Sequence, residues 1–135
     1  MTVGIVVVSH SRALADAAVE LARQMLPGRE LSVEVAAGTE DGGLGTDAAA
    51  VSAAIEAADS GEGTVVLMDL GSAVLSAETA LEFLDDEVRG RTLLTAAPLV
   101  EGLVGAVVVA AGGASREQVA AEAERGLAPK QAQLG

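Results

Sequence analysis

The sequence lacks or nearly lacks several residue types, and each shortage excludes a class of structure or site. Its 135 residues include no cysteine, which excludes disulfide bonds, thiolate zinc sites and a cysteine nucleophile. Phe83 is the only aromatic residue although 50% of the chain is hydrophobic, so the core must be aliphatic and rich in alanine. No apolar run reaches the roughly 18 residues of a membrane-spanning helix.

Basic residues are scarce as well. Eight Lys and Arg stand against twenty Asp and Glu, which gives a formal net charge of −12. A field of this sign repels nucleic acid and anionic membranes and favours association with a basic protein. Met1 and Thr2 lead directly into the first predicted strand, without the features of a signal peptide. We therefore expect a cytoplasmic protein that has neither nucleic acid nor a membrane as its partner.

What is present is an alternation of strand-like and helix-like segments. Apolar runs and alternating apolar residues predict strands at 3–8, 31–35, 64–68 and 92–96. Helical periodicity predicts helices at 14–25, 51–58, 74–84 and 99–111. Pro27 and Gly28 end the first helix, and a capping box at Ser115 opens a last one. The alternation predicts an α/β fold with an open, mainly parallel sheet, in one domain (1–125) followed by a polar tail (126–135).

The ends of the predicted strands carry the candidate catalytic residues. His10, the only histidine, follows the first strand between Ser9 and Ser11, and Asp69 follows the third strand. Ligands of open α/β sheets bind beyond these strand ends, so the imidazole and the carboxylate meet in one crevice if the two strands are neighbours. A carboxylate bonded to one ring nitrogen fixes the tautomer and leaves the other nitrogen free as a nucleophile for a phosphoryl group.

A glycine-rich loop, residues 38–46, follows the second strand at the same edge of the sheet. Glycines let backbone N–H groups approach an anion, and nearby hydroxyl groups add donors. The candidates for binding a phosphoryl group are Ser9, Ser11, Gly38, Thr39, Gly71 and Ser72, with Gly43 and Gly45 as further backbone donors.

The same loop does not match the known nucleotide-binding motifs. Leu44 stands where a P-loop needs lysine, and the G-x-G-x-x-A match at 43–48 does not turn directly out of its strand. A phospho-acceptor aspartate domain needs acids after the first strand, where His10 stands instead. We therefore expect no metal, no cofactor and no bound ATP, ADP or Mg²⁺.

Each of these residues also has a simpler interpretation when it is taken singly. His10 fits a partly exposed residue at a helix start, and Asp69 fits a helix cap or a turn residue. Glu101 follows the fourth strand, where it either borders the crevice or, as we favour, is a solvated acid in the first turn of a helix.

Four segments together form a recognisable set of motifs. They are Val8-Ser9-His10-Ser11, Gly38-Thr39-Glu40-Asp41-Gly42 with Gly45-Thr46, Leu67-Met68-Asp69-Leu70-Gly71-Ser72-Ala73, and Pro98-Leu99-Val100-Glu101-Gly102. This set resembles the phosphotransferase subunits of bacterial phosphoenolpyruvate-dependent dihydroxyacetone kinases. The wider fold resembles the EIIA domain of the mannose-type sugar phosphotransferase system. Ala37 and Asp47 depart from the pattern, where a glycine and a small hydroxyl residue are usual.

The resemblance implies a fold and a set of partners. The fold is a four-stranded sheet in the order 2-1-3-4 with helices on both faces, assembled as a homodimer. His10 would accept a phosphoryl group from the phosphocarrier HPr and pass it to ADP bound on the DhaL subunit. DhaL then phosphorylates dihydroxyacetone held by DhaK. Some relatives carry an HPr-like domain behind this one, whereas this sequence stops at Gly135, so we expect it to use a separate HPr.

Two other functions fit the same residues. An EIIA domain of a sugar permease has the same chemistry but a partner in a membrane complex. A non-catalytic regulatory module would hold a small anion with His10 and the loops, without turnover. Phosphorylation by phosphoenolpyruvate, enzyme I and HPr separates the two carriers from the third function.

Overall fold

A parallel sheet lies between two layers of helices. The computed structural model describes residues 1–26, 28 and 30–135. The strands are β1 (Gly4–Ser9), β2 (Val33–Ala37), β3 (Thr64–Met68) and β4 (Thr92–Leu94). The helices are α1 (Arg12–Gln24), α2 (Ala48–Ala58), α3 (Gly71–Leu81), α4 (Asp86–Gly90), α5 (Leu99–Ala111), α6 (Arg116–Glu124) and α7 (Ala128–Leu134).

The sheet has the strand order β2-β1-β3-β4, and all neighbouring strands run parallel. This confirms the predicted open α/β fold and the order that the family resemblance implies. Val8 of β1 lies beside Met68 of β3, and Ser9 lies beside Ala37 of β2. β1 and β3 occupy the centre and are buried along their whole length, which explains their continuous apolar sequences.

Each face of the sheet packs against its own helices, as predicted. On one face, Ile5 and Val7 of β1 join a cluster with residues of α1, α5 and α6. On the other face, Val6 and Val8 pack with residues of α2 and α3. Alternate side chains of β1 therefore pack into two hydrophobic cores on opposite faces of the sheet. The packing is close at Gly4, since a Cβ atom added there would lie 2.2 Å from the carbonyl oxygen of Ala58.

The edge strands differ from the prediction because their partners decide where they begin and end. β2 begins at Val33, two residues later than predicted, and its pairing with β1 continues to Ala37 beside Ser9. Leu31, predicted as part of this strand, instead packs, partly buried, against the α1 side of the core. β4 is shorter than predicted and ends at Leu94.

The helices include two that periodicity does not predict, α4 and α7, and several others have shifted ends. The five-residue α4 shows no apolar period; Asp85 caps it by accepting a hydrogen bond from the N–H of Val88 at 2.9 Å. α3 begins and ends three residues earlier than predicted, and the predicted tail contains α7, which buries none of its residues. α1 ends at Gln24, and Pro27, predicted to end it, lies outside the described residues. The capping box of Ser115 is confirmed. No helix in the described ranges is long and apolar enough to cross a membrane.

The chain leaves β1 and β3 towards opposite faces of the sheet. α1, which follows β1, belongs to one core, and α3, which follows β3, belongs to the other. Two neighbouring strands therefore end beside a crevice at their carboxyl edge, where α/β sheets bind ligands. His10 lies just beyond β1, and Asp69 lies just beyond β3.

Candidate functional site

The carboxylate of Asp69 holds both the ring and the backbone of His10. Oδ1 lies 2.8 Å from Nδ1 of the imidazole, and Oδ2 accepts a hydrogen bond from the His10 backbone N–H at 3.0 Å. Oδ1 also accepts from the N–H of Leu70 at 2.7 Å, and Oδ2 accepts from the hydroxyl of Ser9 at 2.8 Å. These donors surround a side chain that is only 9% exposed. Asp69 therefore contacts both the ring and the backbone of His10, and the N-cap of α3 is Leu70.

Hydrogen bonding keeps Asp69 ionised and selects the tautomer of His10. Burial raises the pKa of Asp69, but the hydrogen bonds from the His10 N–H, the Ser9 hydroxyl and the His10 ring outweigh it and hold that pKa below its ordinary value. Because an ionised carboxylate only accepts hydrogen bonds, Nδ1 carries the proton that points to Oδ1. The lone pair of the neutral ring then lies on Nε2.

Ser72 stands at this second nitrogen. Its hydroxyl contacts Nε2 of His10, and it is the donor in this contact because Nε2 carries the lone pair. The His10 side chain is 26% exposed, so the nitrogen lies at the surface of the crevice and not inside a closed cavity.

The hydroxyl groups of Ser9 and Ser11 have partners of their own. Ser9 is fully buried, donates to Asp69 and accepts a hydrogen bond from the N–H of Ser11 at 3.1 Å. Ser11 is the N-cap of α1, and its Oγ accepts from the N–H of Leu14 at 3.2 Å. Both residues therefore shape the turn that presents His10, and the structure gives neither of them a contact with Nε2.

The glycine-rich loop uses its backbone donors to hold the end of β1. The N–H of Gly38 donates to the carbonyl of Ser9 at 3.2 Å, and the N–H of Gly45 donates to the carbonyl of His10 at 2.9 Å. Gly38 has φ +75°, a conformation that favours glycine at this turn. The hydroxyl of Thr39 is bonded inside the loop, to a carboxylate and to a backbone N–H. The predicted anion donors Gly38 and Thr39 are thus occupied by the protein itself.

The N-terminus of α3 supplies the donors that remain beside Nε2. Leu70, the N-cap, makes no side-chain hydrogen bond to the first turn. N–H groups of a first helical turn have no acceptor within the helix, and the helix dipole adds a positive potential there. Gly71 is exposed, and a Cβ atom built on it would have nothing within 4 Å. Among the predicted residues, Ser72 contacts Nε2 and Gly71 precedes it as the first residue of α3.

Glu101 lies outside this arrangement. It is in the first turn of α5, where it forms an ion pair with Lys130 of α7. The hydrogen bond from Lys130 lowers the pKa of Glu101 below its ordinary value. The structure thus agrees with the interpretation of Glu101 as a first-turn acid. Within residues 1–26, 28 and 30–135, no group of three or more His, Cys, Asp or Glu is arranged to hold a metal ion.

Thr46 and Ser76 adjoin the site, although no pattern in the sequence predicts a role for them. Thr46 Oγ1 lies 2.6 Å from the Oγ of Ser76 and 3.4 Å from the carbonyl oxygen of Ser72. The spacing of the two serines, four residues apart on one helix, is the signal in the sequence that places them on one face of α3. Thr46 stands in the Gly45-Thr46 segment of the family motif, but that motif does not indicate its contact with α3, which depends on the path of the loop.

Known proteins resemble this chain over most of its length. Residues 4–120 match the family EIIA-man, described as the PTS system fructose IIA component. The chain is 47% identical to the phosphoryl donor subunit DhaM of the PEP-dependent dihydroxyacetone kinase of Escherichia coli; the match covers 98% of this chain but only 29% of that relative. The match to the DhaM subunit of dihydroxyacetone kinase 2 of Listeria innocua has 38% identity and covers 89% of this chain and 95% of the relative. The DhaM phosphotransferase subunit of Lactococcus lactis is 32% identical, with 96% and 100% covered.

Two solved structures share the fold. A crystal structure of a protein of unknown function has a TM-score of 0.81 and 37% identity, and the match covers 92% of this chain and 94% of that one. A sigma-54 interaction domain protein from Enterococcus faecalis has a TM-score of 0.72 and 16% identity over 98% of this chain and 96% of that one. At this lower identity the likeness shows the fold alone.

Proposed function

Because the chain belongs to the EIIA-man family, and within it to the DhaM subunits, we propose that it is a phosphohistidine carrier for a dihydroxyacetone kinase. His10 accepts a phosphoryl group from HPr and passes it to ADP bound on the DhaL subunit. One observation carries this proposal. Asp69 holds Nδ1 of His10, which leaves the lone pair of Nε2 beside the N-terminus of α3.

Acceptance of the phosphoryl group takes place at Nε2. The Ser72 hydroxyl turns away, and the lone pair attacks the phosphorus atom of the donor. A bond forms between phosphorus and Nε2, and the bond between phosphorus and the donor breaks with its electron pair remaining on the donor. The ring then carries a positive charge, which the ionised Asp69 compensates through its contact of 2.8 Å with Nδ1. The Ser72 hydroxyl and the first N–H groups of α3 donate to the phosphoryl oxygens.

Transfer of the phosphoryl group from Nε2 to ADP reverses these steps. A terminal phosphate oxygen of ADP attacks the phosphorus atom, and the bond to Nε2 breaks. Its electron pair returns to the ring as the lone pair of a neutral imidazole. Both transfers need positioning and hydrogen-bond donors, and Leu44 stands where a P-loop needs lysine, so we expect the isolated chain to bind neither ADP nor Mg²⁺. Calorimetry that finds micromolar binding of ADP to the isolated chain would contradict this expectation.

The family also supports a set of partners. HPr is the donor, DhaL with bound ADP is the acceptor, and DhaK belongs to the wider complex. The carrier acts as a homodimer in the cytoplasm. The net charge of −12 disfavours nucleic acid and anionic membranes as further partners.

A second candidate function follows from the description of the matched family as a fructose IIA component. An EIIA domain of a sugar permease uses the same histidine chemistry and differs only in its acceptor. An assay of whether DhaL with bound ADP can take the phosphoryl group from the phosphorylated chain therefore distinguishes the two functions.

The test is phosphorylation by phosphoenolpyruvate, enzyme I and HPr, carried out on the chain and on its His10→Gln variant. We expect one phosphoryl group on the wild type and none on the variant, because the chain has no other histidine. DhaL with bound ADP should then discharge the phosphorylated chain and form ATP. Equal labelling of both proteins would exclude His10 as the acceptor. A phosphorylated chain that DhaL cannot discharge would favour the sugar-permease function.

A further inference from the structure

Thr46 connects the glycine-rich loop to the helix that faces His10. The residue before it, Gly45, donates its N–H to the carbonyl of His10 at 2.9 Å, so the loop is attached to the strand end that carries the ring. Thr46 Oγ1 lies 2.6 Å from Ser76 Oγ and 3.4 Å from the carbonyl oxygen of Ser72. Two consecutive residues of one loop therefore contact both sides of the crevice.

The hydrogen bonds of Thr46 have a definite direction. The Ser72 carbonyl only accepts, so the Thr46 hydroxyl donates to it. The single proton of Thr46 is then used, and Ser76 donates its own hydroxyl proton to Thr46 Oγ1. Ser72 and Ser76 lie one helical turn apart on the same face of α3, so both contacts act on the first two turns of this helix.

The N-cap of α3, Leu70, makes no side-chain hydrogen bond to the first turn. The start of the helix is contacted by Asp69, which accepts from the N–H of Leu70 at 2.7 Å, and by His10, whose ring contacts the hydroxyl of Ser72. The start of α2, by contrast, does not need Thr46, because Asp47 caps it by accepting a hydrogen bond from the N–H of Ala49 at 2.9 Å. The Thr46 hydroxyl is thus directed at α3 and not at its own helix.

We infer that Thr46 is a positioning residue that sets the distance between His10 and the N-terminus of α3. By holding the carbonyl of Ser72, it keeps Ser72 beside Nε2, where its hydroxyl contacts the resting ring and then donates to the phosphoryl group. It keeps the first N–H groups of α3 at the same place. The inference rests on the proposed function of His10 for its effect on transfer. Its effect on the resting site does not depend on that function.

The resting site can be tested by nuclear magnetic resonance of the imidazole. The chain has one histidine, so its two ring nitrogens give a single pair of ¹⁵N resonances. Ser72→Ala should move the Nε2 resonance by removing its hydrogen bond, and Thr46→Val should move it in the same direction. Thr46→Ser restores the hydroxyl and should return the resonance towards the wild-type position. Thr79→Val, which changes an exposed threonine of the same helix, is the control and should move neither resonance.

The effect on transfer is measured by single-turnover phosphorylation from phosphorylated HPr. Thr46→Val should lower the maximum rate about tenfold, because a small displacement of reacting groups slows transfer strongly, whereas the half-saturating HPr concentration stays within about twofold. Thr46→Ser should recover most of the rate. Ser76→Ala should have a smaller effect, and its combination with Thr46→Val should be no slower than Thr46→Val alone, since both changes break one chain of hydrogen bonds.

Three outcomes would overturn the inference. The first is an Nε2 resonance that Ser72→Ala moves and Thr46→Val does not. The second is an Nε2 resonance that Ser72→Ala leaves unchanged, since the contact with Ser72 is then absent. The third is a Thr46→Val variant that weakens HPr binding at an unchanged maximum rate, which would make the loop a docking element. A wild-type chain that HPr does not phosphorylate would refute the proposed function instead, and the ring resonances would still decide the inference.

Discussion

At the scale of single residues, the two oxygens of Asp69 perform separate tasks. Oδ1 fixes the imidazole at Nδ1, whereas Oδ2 holds the His10 backbone N–H and the Ser9 hydroxyl. Ser9 in turn accepts from the N–H of Ser11, so the carboxylate organises the whole turn between β1 and α1. Removing the side chain of Asp69 therefore disturbs the ring and its charge balance, but it leaves Nε2 present as a nucleophile.

The first prediction concerns the variants Asp69→Ala and Asp69→Asn. A charge-assisted hydrogen bond contributes about 1.5–3 kcal/mol, so its loss in Asp69→Ala should slow single-turnover transfer from phosphorylated HPr roughly ten- to a hundredfold. Asp69→Asn keeps the shape but offers an amide that no longer fixes the tautomer, and it should also be slow. Both variants should still become phosphorylated, unlike His10→Gln. A wild-type rate in Asp69→Ala would mean that the carboxylate only orders the backbone.

The second prediction concerns Thr64 in the centre of the sheet. Thr64 is fully buried, and its hydroxyl oxygen has no hydrogen-bond partner among the described residues. Thr64→Val replaces this hydroxyl by a methyl group of similar shape. The free energy of unfolding should therefore rise by about 1 kcal/mol. Urea denaturation followed by circular dichroism measures it, since the chain has neither Trp nor Tyr for fluorescence.

Thr95→Val is the matched control for this prediction. Thr95 is also buried, but its hydroxyl donates to the carbonyl of Val66 at 3.2 Å. The same substitution there leaves a buried carbonyl with one partner fewer, and we expect the free energy of unfolding to fall by about 1 kcal/mol. Equal effects of the same sign at both positions would contradict the assignment of Thr64 as unpaired.

At the scale of elements, apolar runs predict the centre of the sheet, and tertiary partners decide its edges. The predicted bounds of β3 and α5 agree with the structure, because both are buried segments whose own sequence is sufficient. β2 is displaced by two residues because β1 sets its register, and α4 is missed because a five-residue helix has no apolar period. Local sequence contains neither the register that a neighbouring strand imposes nor the position of a helix this short.

The sequence likewise predicts one part of the candidate site and not another. That His10 and Asp69 lie at one edge of the sheet follows from the sequence, because parallel strands place their carboxyl ends at one edge. That they lie side by side requires β1 and β3 to be neighbours, which only the family resemblance implied and the structure shows. Which donors remain for an anion does not follow. The N–H of Gly38 and the hydroxyl of Thr39 lie in a glycine-rich segment that suits an anion, yet in the fold the first donates to the carbonyl of Ser9 in β1 and the second is bonded inside the loop. The role of Thr46 depends on a contact across 30 residues of chain, which no local pattern encodes.

An ion pair joins two other elements, the end of α2 and the start of β4. Nη2 of Arg91 lies 2.7 Å from Oδ2 of Asp59, whose side chain is 7% exposed, and Nε lies 2.9 Å from the same oxygen. The hydrogen bonds from Arg91 outweigh the effect of burial and hold the pKa of Asp59 below its ordinary value. The pair therefore stabilises the fold only while Asp59 is ionised.

The third prediction is the pH dependence of this contribution. A carboxyl group whose pKa is lowered by folding stabilises the protein above its unfolded-state pKa of about 3.9, and this stability is lost as the pH falls through the folded-state pKa. Asp59→Asn should therefore lower the free energy of unfolding by a constant amount near neutral pH and by less below about pH 4. Asp86→Asn, at an exposed ion pair with Arg89, should have little effect at any pH. A deficit of Asp59→Asn that persists unchanged in acid would exclude this linkage.

At the scale of the whole molecule, negative charge greatly exceeds positive charge. The twenty acidic residues outnumber the eight basic ones, and the formal net charge is −12. Some acids are adjacent, as in Asp85, Asp86 and Glu87 at the start of α4. Such an excess favours solubility but destabilises the compact state through self-repulsion. Dissolved salt screens this repulsion, since the Debye length falls to about 10 Å at 0.1 M.

The fourth prediction follows from this repulsion. Raising sodium chloride from low to moderate concentration should raise the midpoint of thermal unfolding, because the folded chain holds its like charges closer together than the unfolded chain does. Neutralising three exposed acids, in the triple variant Glu20→Gln, Glu56→Gln and Glu124→Gln, should raise the midpoint at low salt by a few degrees, or roughly 1 kcal/mol for a domain of this size. The variant should then gain less from added salt than the wild type gains. A midpoint that falls with salt in the wild type would mean that its ion pairs contribute more to stability than the net repulsion removes.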